Sequence, residues 1–201
     1  MKRRFNLISR AFWGNKVKQA ATRLLTFVCL WLFTSSLTIA SAQTHTEDEP
    51  LIKAAFIYNF AKFTSWPENI WQDSQAPLKL CTVGKDALVS ELKHLAGKTI
   101  QQHPVTVHPL KNMQAVKNCQ LLYIATSEKK QYTDILKVVQ DKPVLTISEL
   151  ANFENSGGII RLYRDKSQHF IINLGVAREA GLVLSSRLLN VARVINHEGA
   201  Q

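Results

Sequence analysis

Residues 78–97 read LKLCTVGKDALVSELKHLAG. LKLCTVG (78–84) is a short apolar run that suits a strand buried on both faces. DALVSELKHLAG (86–97) has helical spacing and closes on Gly97. A strand feeding a helix through a tight turn is the opening of a βαβ unit. The alternation recurs downstream. KTIQQHPVTVHPL (98–110) reads as a strand interrupted at Pro104, hence an edge or bulged one. KNMQAVKN (111–118) reads as a short helix and CQLLYIA (119–125) as a second buried strand. SEKKQYTDILKVVQ (127–140) is a helix, PVLTIS (143–148) a third buried strand and ELANF (149–153) a helical turn. GGIIRLYRDKSQHFIIN (157–173) reads as a hairpin turning at 164–167, and 174–195 as two helices split at Gly181. Such a pattern predicts an α/β fold: a single three-layer domain, with a mainly parallel sheet flanked by helices and an antiparallel edge hairpin.

Upstream stands KAAFIYNFAKFTSWP (53–67). A helix is predicted from Pro50 to about Thr64, with Thr46 as cap, Glu49 in the capping-box position and Pro67 as the stop. At 100° per residue, Ile52, Ala55, Phe56, Asn59, Phe60 and Phe63 share one face, which is expected to meet the sheet. Asn59, in its middle, then needs buried partners. Ala54, Ile57, Tyr58 and Ala61 form a second apolar face between Lys53 and Lys62. It calls for a second cover: the same domain, another copy of the chain or a partner. Trp66 closes the helix end. Lys53, Ile57, Tyr58, Lys62 and Trp66 are therefore the candidate partner or dimer surface.

Farther upstream, residues 1–23 hold seven Lys and Arg and no acid. LLTFVCLWLF (24–33) and a small-residue sequence ending Ala40-Ser41-Ala42 follow. These are the three parts of a secretory signal, with cleavage expected after Ala42 and an uncleaved anchor as the alternative. The apolar run is shorter than an ordinary membrane span, and no span is expected in residues 43–201. The whole chain is +10, but the leader carries 7 of its 25 Lys and Arg. The 18 that remain face 15 acids, a net +3. The electrostatic case for nucleic acid disappears with the leader. An exported chain meets oxidising conditions, so Cys81 and Cys119 are expected to pair; two free thiols on neighbouring strands are the alternative.

No catalytic motif is present. HExxH, GxSxG and P-loop patterns are missing, and no nucleophile–base arrangement suggests a hydrolase. The six histidines are scattered; His103 and His108 fall on opposite strand faces and make a poor metal pair. No cofactor is expected. Val83-Gly84-Lys85-Asp86, between a strand and a helix, is a weak anion-site signal, with Asp86 as a simple helix cap the alternative. Leu184, Leu188, Val191, Ala192 and Ile195 share one face of the last predicted helix. Arg187 and Arg193 lie beside or opposite it. Lys85, Arg187 and Arg193 are thus the candidate ligand-binding residues of an alternative function, a periplasmic module for a nucleotide-like or aromatic ligand.

Two segments carry a family resemblance. KAAFIYNFAKFTSWP, and INLGVAREAGLVLSSRLLNVARVI (172–195), strongly resemble the two end motifs of the YfiR family, small periplasmic proteins. VGKD (83–86), LLYIA (121–125) and the Ser-Gly-Gly turn (156–158) match more loosely. The resemblance implies regulation rather than catalysis. A dimer would bind the periplasmic sensor region of an inner-membrane diguanylate cyclase and hold it inactive, lowering cyclic di-GMP and biofilm formation. The Cys81–Cys119 pair looks like one bridge of that family. A second cysteine pair near the Gly-Gly turn is missing here, where Phe153 and Glu154 stand instead.

Overall fold

The computed structural model describes residues 48–196. The leader and Thr46 lie outside them. Five strands run parallel and in contact: β2 (Leu78–Val83), β4 (His103–Leu110), β5 (Leu121–Ile124), β6 (Leu145–Ser148) and β7 (Ile160–Arg164). Across the sheet they stand β4-β2-β5-β6-β7. Renumbered by sequence this is 2-1-3-4-5, a doubly wound order in which the direction of strand addition reverses between β2 and β5. β8 (Gln168–Asn173) pairs antiparallel with β7, and β10 (Arg193–Ile195) runs parallel to β8. β3 (Thr99–Ile100) closes the opposite edge against β4. A separate two-stranded ribbon joins β1 (Thr64–Ser65) to β9 (Val183–Leu184).

Alternation along the strands explains the three layers. Leu80, Leu121, Tyr123, Leu145, Ile147 and Ile160 point to one face of the sheet, under α1 (Glu49–Lys62), α2 (Ala87–Leu92) and α4 (Leu174–Glu179). Cys81, Val83, Leu122 and Ile124 point to the other, under α3 (Tyr132–Val139) and the 3₁₀ segment Met113–Asn118. Fully apolar strands are what a sheet covered on both sides requires.

The α/β class, the parallel sheet and the hairpin turn agree with the pattern. Several details differ. The hairpin β7–β8 is not the sheet edge, because β10 adds outside it. The second C-terminal helix is not formed. Residues 182–195 make β9, a single helical turn α5 (Ser186–Leu189) and β10. Val194 and Ile195 are β-branched and gain more by extending β8 than by continuing a turn. The strand 98–110 breaks before Pro104, at Gln101 and Gln102, both at positive φ. Gln101 uses that turn to donate its side-chain amide to the Thr64 carbonyl at 2.6 Å, tying the hairpin to the end of α1.

Where a second cysteine pair would be sought, Phe153 is fully buried, and Glu154 pairs with Arg161 at 2.9 Å. Asn173 holds the same corner: its side chain donates to the Glu154 carbonyl and caps α4 through Val176.

Cys81 and Cys119 are joined, with Cα atoms 6.0 Å apart. The bridge links β2 to the entrance of β5 inside the second core. Closing a 38-residue separation restricts the unfolded chain by about 4 kcal/mol in the loop-entropy picture. A Cys81→Ser/Cys119→Ser variant should lose stability of that order in urea titration, and thiol-reactive reagents should leave both cysteines unlabelled in unreduced, unfolded wild type.

Candidate functional site

The doubly wound order places the carboxyl ends of β2, β5, β6 and β7 side by side. In open α/β sheets the crevice at the switch point, here between β2 and β5, is where ligands bind. The loops after these strands fill it with the protein's own groups. Gly84 takes φ +87°, and a Cβ there would lie 2.4 Å from Ser127 Oγ. The Lys85 N–H donates to that same Oγ at 2.9 Å, while Ser127 donates to the Glu128 carboxylate at 2.8 Å. An anion entering over Gly84 would meet a carboxylate.

Asp86 does double duty. Its Oδ1 accepts the Val89 N–H at 3.0 Å and caps α2. Its Oδ2 accepts the Tyr123 hydroxyl at 2.8 Å and the Thr126 N–H at 3.0 Å. One carboxylate thus fastens the helix after β2 to the end of β5. Charged hydrogen bonds of this kind are about twice as strong as neutral ones.

From Tyr123 the polar line continues. Glu149 Oε2, just past β6, lies 3.5 Å from the Tyr123 hydroxyl. The other Glu149 oxygen receives the Lys53 ammonium, which also pairs with Glu49 at 2.6 Å. Glu49 in turn pairs with Arg164 at the end of β7. Asp86, Tyr123, Glu149, Lys53, Glu49 and Arg164 therefore form one connected line across the carboxyl edge, joining α1 to three strands.

Each proton in that line is held in place. Burial, then the Asp86 and Glu149 carboxylates, push the Tyr123 hydroxyl far up, so it remains a donor. Burial works against the Lys53 charge, yet the hydrogen bonds to Glu149 and Glu49 outweigh it and raise the ammonium above 10.5. The hydrogen bond from Lys53, helped by Arg164, holds the Glu49 carboxyl below 4.5. A phenol that does not ionise and an ammonium that does not deprotonate make poor nucleophiles or bases. The line is suited to clamping α1 rather than to turnover. Among the described residues, no three His, Cys, Asp or Glu side chains converge on a metal position. His103 Nδ1 lies 2.7 Å from the Ala76 carbonyl, and His108 Nε2 lies 2.9 Å from Thr106 Oγ1.

The clamp holds one side of α1 inward, and the two expected faces largely exchange places, with Phe60 staying inside as expected. Ala54, Ile57, Phe60 and Ala61 are buried against the sheet, together with Lys53. Ile57 has no exposed surface, so it is not part of a docking face as the structure stands. Lys53 and Trp66 are buried too; the Trp66 indole donates to the Gln120 carbonyl at 3.1 Å. Tyr58 is half-buried, its hydroxyl donating to the Thr99 carbonyl at 3.0 Å. Of the five predicted surface residues only Lys62 is fully outside, its ammonium 5.5 Å from the Tyr58 ring centre. The outer stripe is instead Leu51 (55 % exposed), Ile52 (50 %), Ala55 and Asn59, with Phe56 and Phe63 half-covered. Asn59 needs no buried partners, because it faces out. Phe56 and Phe60 lean on Phe170 of β8, with ring centres 6.0 and 4.7 Å away.

Lys85, Arg187 and Arg193 are not brought together. Lys85 follows β2, Arg193 lies on β10 with four strands between, and Arg187 sits on α5; all three are exposed. Glu149, Tyr123 and Arg164 went unremarked in the sequence. The available signal was a tyrosine inside the aliphatic run LLYIA and a glutamate directly after a buried strand.

The clamp sets a pH signature. Lys53 is stabilising while it is charged, so its contribution is complete below 10.5 and lost as pH rises through its raised value. The Glu49 contribution is complete above 4.5 and lost as pH falls through its lowered value. Lys53→Met should cost roughly 3 kcal/mol at neutral pH, the low end for breaking a buried pair. It should also flatten both the acid and the alkaline limb of a urea-midpoint profile.

No curated protein matches the chain. A family model described as YfiR/HmsC-like matches residues 51–193, from the first turns of α1 to the first residue of β10. With that span taking in every strand of the parallel sheet, the chain belongs to the YfiR/HmsC-like family.

Proposed function

We propose that this chain is a periplasmic regulator, exported by residues 1–42, that binds the periplasmic sensor region of an inner-membrane diguanylate cyclase and holds the enzyme inactive, lowering cyclic di-GMP and biofilm formation. The family match over 51–193 carries this reading, because the family is implied to be regulatory. No helix among the described residues is long and apolar enough to cross a membrane. A restraining protein must bind one state of its target better than the other, and the difference in those affinities is the whole of its regulatory reach.

The outer stripe of α1 is the surface we assign to that contact or to a homodimer. Leu51 and Ile52 are large apolar side chains about half exposed on a rigidly clamped helix. Solvent-facing apolar groups on one helix face are what a partner's apolar groove takes up. Tyr58 and Lys62 border the stripe.

Ile52→Asp should leave the far-ultraviolet dichroism and the melting temperature near wild type. In light scattering it should remove dimerisation, or in a pull-down from inner membranes it should remove capture of the cyclase. Ile57→Asp should instead unfold the domain. A folded Ile52→Asp protein that dimerises and still lowers cyclic di-GMP would dispose of the surface. Failure of the wild-type protein to retain any cyclase, with unchanged cyclic di-GMP on its deletion, would dispose of the function.

A further inference from the structure

A hollow of about 400 Å³ opens at the end of the sheet opposite the clamp. It lies at the amino ends of β2, β5 and β6, between the loop 70–77 and the segments 117–120 and 143–144. Its volume falls in the range of small-molecule sites. We propose that it binds a small planar anion, such as an aromatic carboxylate or an aryl phosphate.

The charge comes from two lysines. Lys79, second residue of β2, and Lys117 both line the hollow, and no acidic side chain does. Neither ammonium belongs to an ion pair among the described residues. The nearest acid along the chain, Asp73, turns its carboxylate to the Gln75 N–H at 2.8 Å. Two unpaired cations facing one cavity repel each other, and an anion between them relieves that repulsion.

The planar part comes from Trp71. Its indole stacks on the His103 ring at 3.7 Å and 9°, and Trp66 meets it edge-on at 6.4 Å. Held on two sides, Trp71 is a fixed aromatic wall rather than a mobile flap. The floor at the strand ends is fixed as well. The Gln120 side-chain oxygen takes the Lys79 backbone N–H at 2.9 Å. The Gln120 carbonyl receives both the Trp66 indole and the Leu145 N–H. Cys119, locked in its bridge to Cys81, contributes to the lining. A wall and floor already ordered before binding lose little entropy when the cavity is filled.

Three probes separate charge from shape: 1-naphthoate, inorganic phosphate and 1-naphthylmethylamine, each titrated into the full chain by calorimetry and tryptophan fluorescence. Naphthoate should bind at one saturable site that weakens with salt, and the other two should not displace it. Lys79→Glu/Lys117→Glu should lower naphthoate affinity by at least about tenfold, the loss expected when a charged hydrogen bond is removed. Trp71→Leu should lower it as well. If the double variant does not fold by circular dichroism, Lys117→Glu alone, at an exposed position, carries the test. The site is overturned if naphthoate does not saturate, if charge reversal leaves its affinity unchanged, or if the amine binds as well as the acid.

Discussion

The rotation of α1 about its own axis is set by a buried ammonium. Lys53 lies in the seam between helix and sheet, where an unpaired charge would cost several kcal/mol. It is tolerated because Glu149 comes from the end of β6 and Glu49 from one helical turn earlier. Glu49 turns with the helix, so Glu149 is the partner that this rotation brings within reach of Lys53. With that contact made, Ile57 and Phe60 must go inward and Leu51 and Ile52 must go outward. The core, the exposed stripe and the proposed docking face are consequences of one charged group finding its partners.

This also explains what could and could not be read from the chain. The strands were legible because a sheet covered on both sides demands unbroken apolar runs, and LKLCTV, LLYI and LTIS have nothing else to become. The direction of α1 was not legible. Its apolar residues go round most of the helix, so periodicity alone offers no inward vector, and the group that breaks the tie finds its partner 96 residues away. The tail failed for a related reason. Leu184, Leu188, Val191 and Ile195 have helical spacing, but pairing with β8 is a tertiary gain that local spacing cannot register. Of the polar clamp, only the Asp86 cap was visible, since a cap acts within four residues.

The two ends of the parallel sheet have come to differ in kind. At the carboxyl end, where open α/β sheets ordinarily receive ligands, Asp86, Ser127, Glu128 and the Lys53 clamp occupy the space with internal bonds. The end is closed by satisfied polar groups. At the amino end, two lysines and an indole line a hollow with no acid among its walls. A fold that has used its customary crevice to hold a helix leaves recognition to its helix surface and to the opposite rim, and both proposals place it there.

Gly158 and Phe153 have a bearing on descent. A methyl group at 158 would sit 2.2 Å from the Phe153 ring, so position 158 cannot grow unless position 153 shrinks first. The ring in this chain therefore acts as a ratchet on inheritance, keeping position 158 glycine for as long as the phenylalanine remains.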